Sequence, residues 1–166
     1  MTHKKTLEHG DESGVKFSQE MLNGDGVGGF NVDTFYFSEL TGWIIFELLK
    51  CDEKQVVTPY TSHPKNYWHK DKNKFLALYA LKKSLKPKAR LFLINYADAG
   101  TKAADEVLMI EVLKMNKEGI TEEKVQKLTR REFSSKLRAL NKLCRSNGSN
   151  DLLKLIKSSE IKNEIN

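Results

Sequence analysis

Cysteine is scarce in this chain. Its 166 residues include two, Cys51 and Cys144, far apart and outside any C-x-x-C pair. That excludes a disulfide framework, argues against a structural zinc site and suits a reducing compartment. His63, His69 and Cys51 make a poor ligand set, because His-x5-His with one remote cysteine lacks the spacing of a zinc site. No apolar run approaches the roughly 18 residues that cross a bilayer. The opening MTHKKTLEHGDESG is basic but has no hydrophobic stretch behind it, so it does not read as a signal peptide. These absences predict a cytoplasmic protein with no membrane partner. A G-x-S-x-G nucleophile elbow is also missing, which removes the usual serine-hydrolase arrangement. The glycines between Asn23 and Gly29 follow neither G-x-G-x-x-G nor Gly-Lys-Ser/Thr spacing, so they predict a connector rather than a phosphate cradle.

What is present is a globular composition, 39% hydrophobic and 30% charged, in a length that suits one domain. There is no internal repeat and no linker long enough to set off a second domain. Lys and Arg exceed Asp and Glu by 28 to 22, giving a formal charge of +6. A basic excess favours a polyanionic partner, most commonly nucleic acid.

In chain order, residues 1–6 are polar and expected to fray. A helix is predicted over 7–22, with Gly14 marking a later start and Ser13 as its N-cap. Strands follow at Asn31–Phe37 and Gly42–Cys51, joined by the Ser-Glu-Leu-Thr-Gly turn. A helix runs over 64–85, begun by Pro64 and stopped before Pro87. Its stripe of Tyr67, Trp68, Phe75, Leu78 and Leu81 faces a core, while Lys65, Lys70, Lys72, Lys82, Lys83 and Lys86 make it strongly basic. Residues 89–96 form a central strand and 106–115 another, with Glu111 as a carboxylate that an edge position would explain. The region 120–145 reads as helix, with a basic second half containing Arg130 and Arg131. A break at 146–150 and a last helix over 151–161 complete the chain. Residues 7–115 form an α/β core and 120–166 a helical carboxyl-terminal part. The lysines at 65, 70, 72 and 74, with Arg130 and Arg131, are the candidate nucleic-acid contacts, interleaved with aromatics as a backbone-gripping surface requires. A solvated outer face is the plainer alternative for the same charges.

Each strand of the first pair carries one carboxylate among apolar neighbours, Asp33 in the first and Glu47 in the second. A carboxylate buried without a partner costs several kcal/mol or raises its own pKa. Two on neighbouring strands can share a hard divalent cation, which favours oxygen ligands. The alternative is that Asp33 caps a strand start and Glu47 lies at an exposed edge.

The order helix, strand, strand, helix, strand around Asp33 and Glu47 resembles the restriction-endonuclease-like superfamily, the PD-(D/E)xK nucleases, over roughly residues 10–97. The resemblance implies a mixed β-sheet flanked by helices, with an α-β-β-β-α-β core. It also implies a metal-dependent nuclease, of phage or mobile-element type, that hydrolyses phosphodiester bonds in DNA. Asp33 and Glu47 would hold Mg²⁺ or Mn²⁺, Lys50 would stand in for the signature lysine, and Glu20 or Glu12 of the first helix would assist, Glu20 being preferred. A homodimer is the form in which small nucleases often cut both strands.

The chain departs from the signature at one position. Glu-x-Lys requires a lysine at 49, where this sequence has Leu49, and Lys50 comes one residue late. In a regular strand that places it on the opposite face. Three arrangements remain open: a β-bulge that restores Lys50, a lysine reaching back from the next helix (Lys70 or Lys74), or a degenerate site. In the last case the fold is a non-catalytic module that binds nucleic acid or protein, such as an inhibitor or accessory subunit.

Overall fold

The computed structural model describes residues 13–25, 29–52, 54 and 56–163. The chain divides into two compact units, Met1–Asn31 and Val32–Asn166. In the first, helix α1 spans Ser13–Leu22 and exposes Phe17 and Met21. It ends as Asn23 and Gly24 take positive φ, the backbone that closes a helix. The expectations for residues 1–12, including Glu12, and for the side chain of Ser13 lie outside the described residues.

The second unit holds one five-stranded mixed sheet. Strand β1 is Thr34–Ser38 and β2 is Gly42–Lys50. A 3-10 turn at Pro64–Tyr67 leads into helix α2, Trp68–Ser84. Strands β3 (Ala89–Tyr96), β4 (Glu106–Asn116) and β5 (Gly119–Thr129) follow, then helix α3, Arg130–Asn163. The strands lie side by side in sequence order. Only the β2–β3 pair is parallel, and α2 supplies the crossover that a parallel pair needs. Two strands, rather than the expected three, thus separate α1 from α2. No helix among the described residues is long and apolar enough to cross a membrane.

Alternation along the central strands sends side chains into two cores. Ile45, Leu91, Leu93, Ile110 and Val112 meet Phe75 and Leu78 of α2 on one face. Ile44, Phe46, Phe92 and Ile94 meet Phe133, Leu137 and Leu140 of α3 on the other. Each such side chain contributes about 2 kcal/mol by leaving water.

The hairpin joining β1 to β2 closes at Gly42, whose φ of +71° is costly for any residue with a Cβ. A Cβ there would also stand 2.6 Å from the Lys88 carbonyl oxygen. The same carbonyl accepts from the Trp43 N–H at 2.9 Å and opens the β2–β3 pairing. Gly42→Ala is therefore expected to cost about 2–4 kcal/mol by strain and lost register, measurable as a lower urea midpoint.

Two expectations are corrected. Residues 120–129 are a strand, not the start of a helix. Most of β5 is exposed and rich in Glu, Lys and Gln, which mimics a solvated helix; only Ile120 and Leu128 are fully buried. Pairing with β4 outweighs that local preference: Glu111 faces Lys124 and Lys114 faces Glu122 across the ladder. The helix begins instead at a capping box. The Thr129 N–H donates to Glu132 Oε2 at 2.7 Å, and the Glu132 N–H donates back to Thr129 Oγ1 at 3.2 Å. Residues 146–150, expected to break the chain, are helical, so the two expected carboxyl-terminal helices are one.

Candidate functional site

Thr34 pairs with Phe46 in the β1–β2 hairpin, so Asp33 enters the sheet beside Glu47. Glu47 is not at an edge. It sits on β2 between β1 and β3, on the face covered by α2, with only 2% of its surface exposed. One carboxylate oxygen pairs with Lys74 Nζ from α2, while Oε2 is buried with no hydrogen-bond partner among the described residues. Asp33 is exposed, and its Oδ2 accepts from the Leu48 N–H at 2.7 Å, extending the ladder by one side-chain bond.

These two carboxylates differ in their surroundings. Burial pushes the Glu47 carboxyl up to about 7; the Lys74 hydrogen bond opposes the shift, while Asp33 and then Asp71 reinforce it. A cleft of about 350 Å³ opens against Glu47, lined also by Ser62, Tyr67, Lys70, Asp71 and Lys74. Burial raises the Tyr67 phenol's pKa as well, keeping it a neutral donor. Because α2 repeats every 3.6 residues, Lys70, Asp71 and Lys74 share the helix face over the cleft.

A stability consequence follows from Glu47. Its folded pKa lies above the ordinary 4.5, so the folded chain holds a proton that the unfolded chain releases. The resulting stabilisation is full below about pH 4.5 and is lost as pH rises through about 7, to the extent of roughly 2–3 kcal/mol. Urea unfolding between pH 5 and 8 should show this decline, and Glu47→Gln should flatten it.

Lys50 sits elsewhere. The β2–β3 register runs without interruption from Glu47↔Leu93 to Lys50↔Tyr96, leaving no bulge to turn it. It therefore alternates to the face opposite Glu47. Its ammonium pairs with Asp98 at 2.5 Å, although the residue is also among those lining the cleft. Of the two helix lysines, Lys74 reaches the carboxylate and Lys70 lines the opening.

The remaining candidates scatter. Glu20 is an exposed residue of α1 in the first unit. Lys65 pairs with Glu123 at 2.6 Å. Lys72 is half-buried on α2, and Arg131 is exposed on α3. Arg130 is a structural brace, donating to the carbonyls of Ala104 and Ala97 and tying down the loop before β4. His63 caps the 3-10 turn through Lys65 N–H and meets Glu123 at 3.1 Å, so its ring is committed away from the cleft. Glu111 is not an edge carboxylate: Arg90 binds it at 2.7 and 2.9 Å and holds its pKa below the usual range.

Sequence inspection passed over two groups, Asp71 of the cleft lining and Asn95 of β3. Asp71 was signalled by its place three residues before Lys74, on the same helical face. Asn95 was not signalled at all: it is fully buried on β3, donating to the carbonyls of Ser62 and Pro59, and its Oδ1 has no partner among the described residues. No group of three His, Cys, Asp or Glu side chains close enough to enclose a metal occurs among the described residues. No family model matches the chain, and neither curated proteins nor solved structures yield a match.

Proposed function

We propose that the protein is a metal-dependent phosphodiester hydrolase acting on DNA, on a core of restriction-endonuclease-like type. Asp33 and Glu47 hold Mg²⁺ or Mn²⁺, and Lys74 takes the place of the signature lysine. The observation that carries this is Glu47: a wholly buried strand carboxylate with one oxygen on a helix lysine and the other unpartnered beside a cleft. Such a group is costly to maintain for stability alone, since an apolar residue would fill the site at less expense. The hairpin bearing both carboxylates, followed by a crossover helix and a parallel strand, supports the family assignment.

The donor set suits a magnesium-like ion, which keeps several waters and takes one or two protein carboxylates with substrate phosphate. The free Oε2 of Glu47 and the exposed carboxylate of Asp33 supply those donors. Such an ion would stabilise charge on the phosphoryl oxygens and lower the pKa of an attacking water. Lys74 holds the Glu47 carboxylate from one side and presents an ammonium to an incoming phosphate. Lys70 at the cleft mouth adds positive charge for the flanking backbone.

The test is incubation of plasmid and short DNA and RNA fragments with the protein and Mn²⁺, with a chelator control. Metal-dependent cleavage of DNA that disappears in Asp33→Asn and Glu47→Gln, both still folded, is the expected result. The non-catalytic binding module draws on a different aspect of the same pair, namely that Lys74 already neutralises Glu47. It predicts DNA binding that survives both substitutions, with no cleavage under any metal.

A further inference from the structure

The α2-facing side of the hairpin presents more than carboxylates. Alternation places Phe35 and Phe37 of β1 and Trp43, Ile45 and Glu47 of β2 on that side. Phe35 stacks on Trp43, with ring centroids 4.6 Å apart and planes inclined by 23°. Phe37 packs against the same indole at 4.6 Å and is buried, whereas Phe35 remains 43% exposed. The indole is fixed: Nε1–H donates to the Lys86 carbonyl at 2.9 Å, and the Trp43 backbone N–H donates to the Lys88 carbonyl. Lys86, an exposed residue, lines a recess with Phe37 at this end of the hairpin.

The position of Phe35 matters as much as its exposure. It is one same-face step, roughly 7 Å, along the strand from Asp33, and it is paired across the hairpin with Ile45, one same-face step from Glu47. A ring held rigid by a second aromatic and open to solvent matches the stacking surface on which single-strand binders seat bases. A duplex cannot use it, because its bases already cover one another's faces and must be unstacked first. Positive charge beyond the rings suits the continuing backbone.

We propose that Phe35, backed by Trp43, is a base-stacking platform that seats an unpaired nucleotide beside Glu47, with Lys86 contacting the phosphates beyond it. The substrate class is then single-stranded or locally unpaired nucleic acid, such as a strand end or a bubble. Cleavage of the seated strand rests on the hydrolase reading above; the binding itself does not.

The chain contains two tryptophans, so Trp68→Phe leaves Trp43 as the sole reporter. Titrating that protein with a short oligodeoxythymidylate in chelator, where nothing is cut, should quench Trp43 fluorescence. Phe35→Ala should weaken the binding by about tenfold or more, and Phe35→Tyr should retain it. A blunt duplex of equal length should bind more weakly and quench less. Equal affinity of Phe35→Ala and its parent for the oligomer, or duplex binding as tight and as quenching as the single strand, would overturn the platform. Circular dichroism establishes that the variants fold. The two proposals fail separately. Phe35-dependent binding with no cleavage in Mn²⁺ sinks the hydrolase and keeps the platform; Glu47-dependent cleavage with Phe35→Ala unaltered does the reverse.

Discussion

On the hydrolase reading, Glu47→Gln is expected to lower DNA hydrolysis by about a thousandfold or more, because it would remove the charge proposed to fix the metal, and such stabilisation is worth several kcal/mol. The amide keeps nearly the same volume in a buried site, so the fold should survive. Above pH 7 the variant should be at least as resistant to urea as wild type, since the wild-type carboxylate is then ionised in a setting that disfavours its charge. Lost activity alongside undiminished stability is the signature of a residue retained for function. Equal loss of both would instead mark Glu47 as a structural member of a buried ion pair. Cleavage rate and urea midpoint measured on the same samples distinguish the two.

The second large effect concerns the lysines. Lys74→Met should reduce cleavage by roughly 10²–10⁴, the range for removing a group that orients or accepts a proton in the reaction. Lys50→Met should leave it nearly unchanged, because that ammonium is turned to Asp98 on the opposite face. Lys74→Met also removes the one hydrogen bond that holds the Glu47 pKa down, so the acid limb of the pH–rate profile should move to higher pH. Lys74→Arg keeps the positive charge but not a titratable amine, and partial recovery would assign the role to charge. If Lys50→Met proved the more damaging substitution, the helix lysine would not be the functional one.

The sequence revealed four of the five strands and concealed one edge, β5. The apolar run 89–96 is β3 residue for residue, since a strand buried on both faces leaves little choice but continuous hydrophobicity. The Pro64 start and the stop before Pro87 bracket the 3-10 turn and α2 for the same kind of local reason. β5 was hidden because an exposed edge strand is free to carry helix-favouring residues, and only pairing with β4 makes it a strand. The Thr129–Glu132 capping box stood in the sequence as T-R-R-E and marks where α3 begins. In the site, Glu47 lay on β2 as expected, but its burial had stood open against an exposed edge, and Asp33 stands exposed just before β1, as the strand-start alternative had it. The choice between Lys50 and Lys74 did not. It depends on whether β2 keeps its register and on which face of α2 meets the sheet, both of them tertiary facts. Asn95 is a comparable case: nothing in A-R-L-F-L-I-N-Y marks the asparagine as anchoring the Pro59–Ser62 loop.

The most direct measurement is titration calorimetry with Mn²⁺ above pH 7 on wild type, Asp33→Asn and Glu47→Gln, each with and without a DNA fragment. Saturable binding by wild type, abolished in Glu47→Gln, is the predicted result. Mn²⁺ binding undiminished in Glu47→Gln, or none by folded wild type even with DNA present, would contradict a metal centre at Glu47.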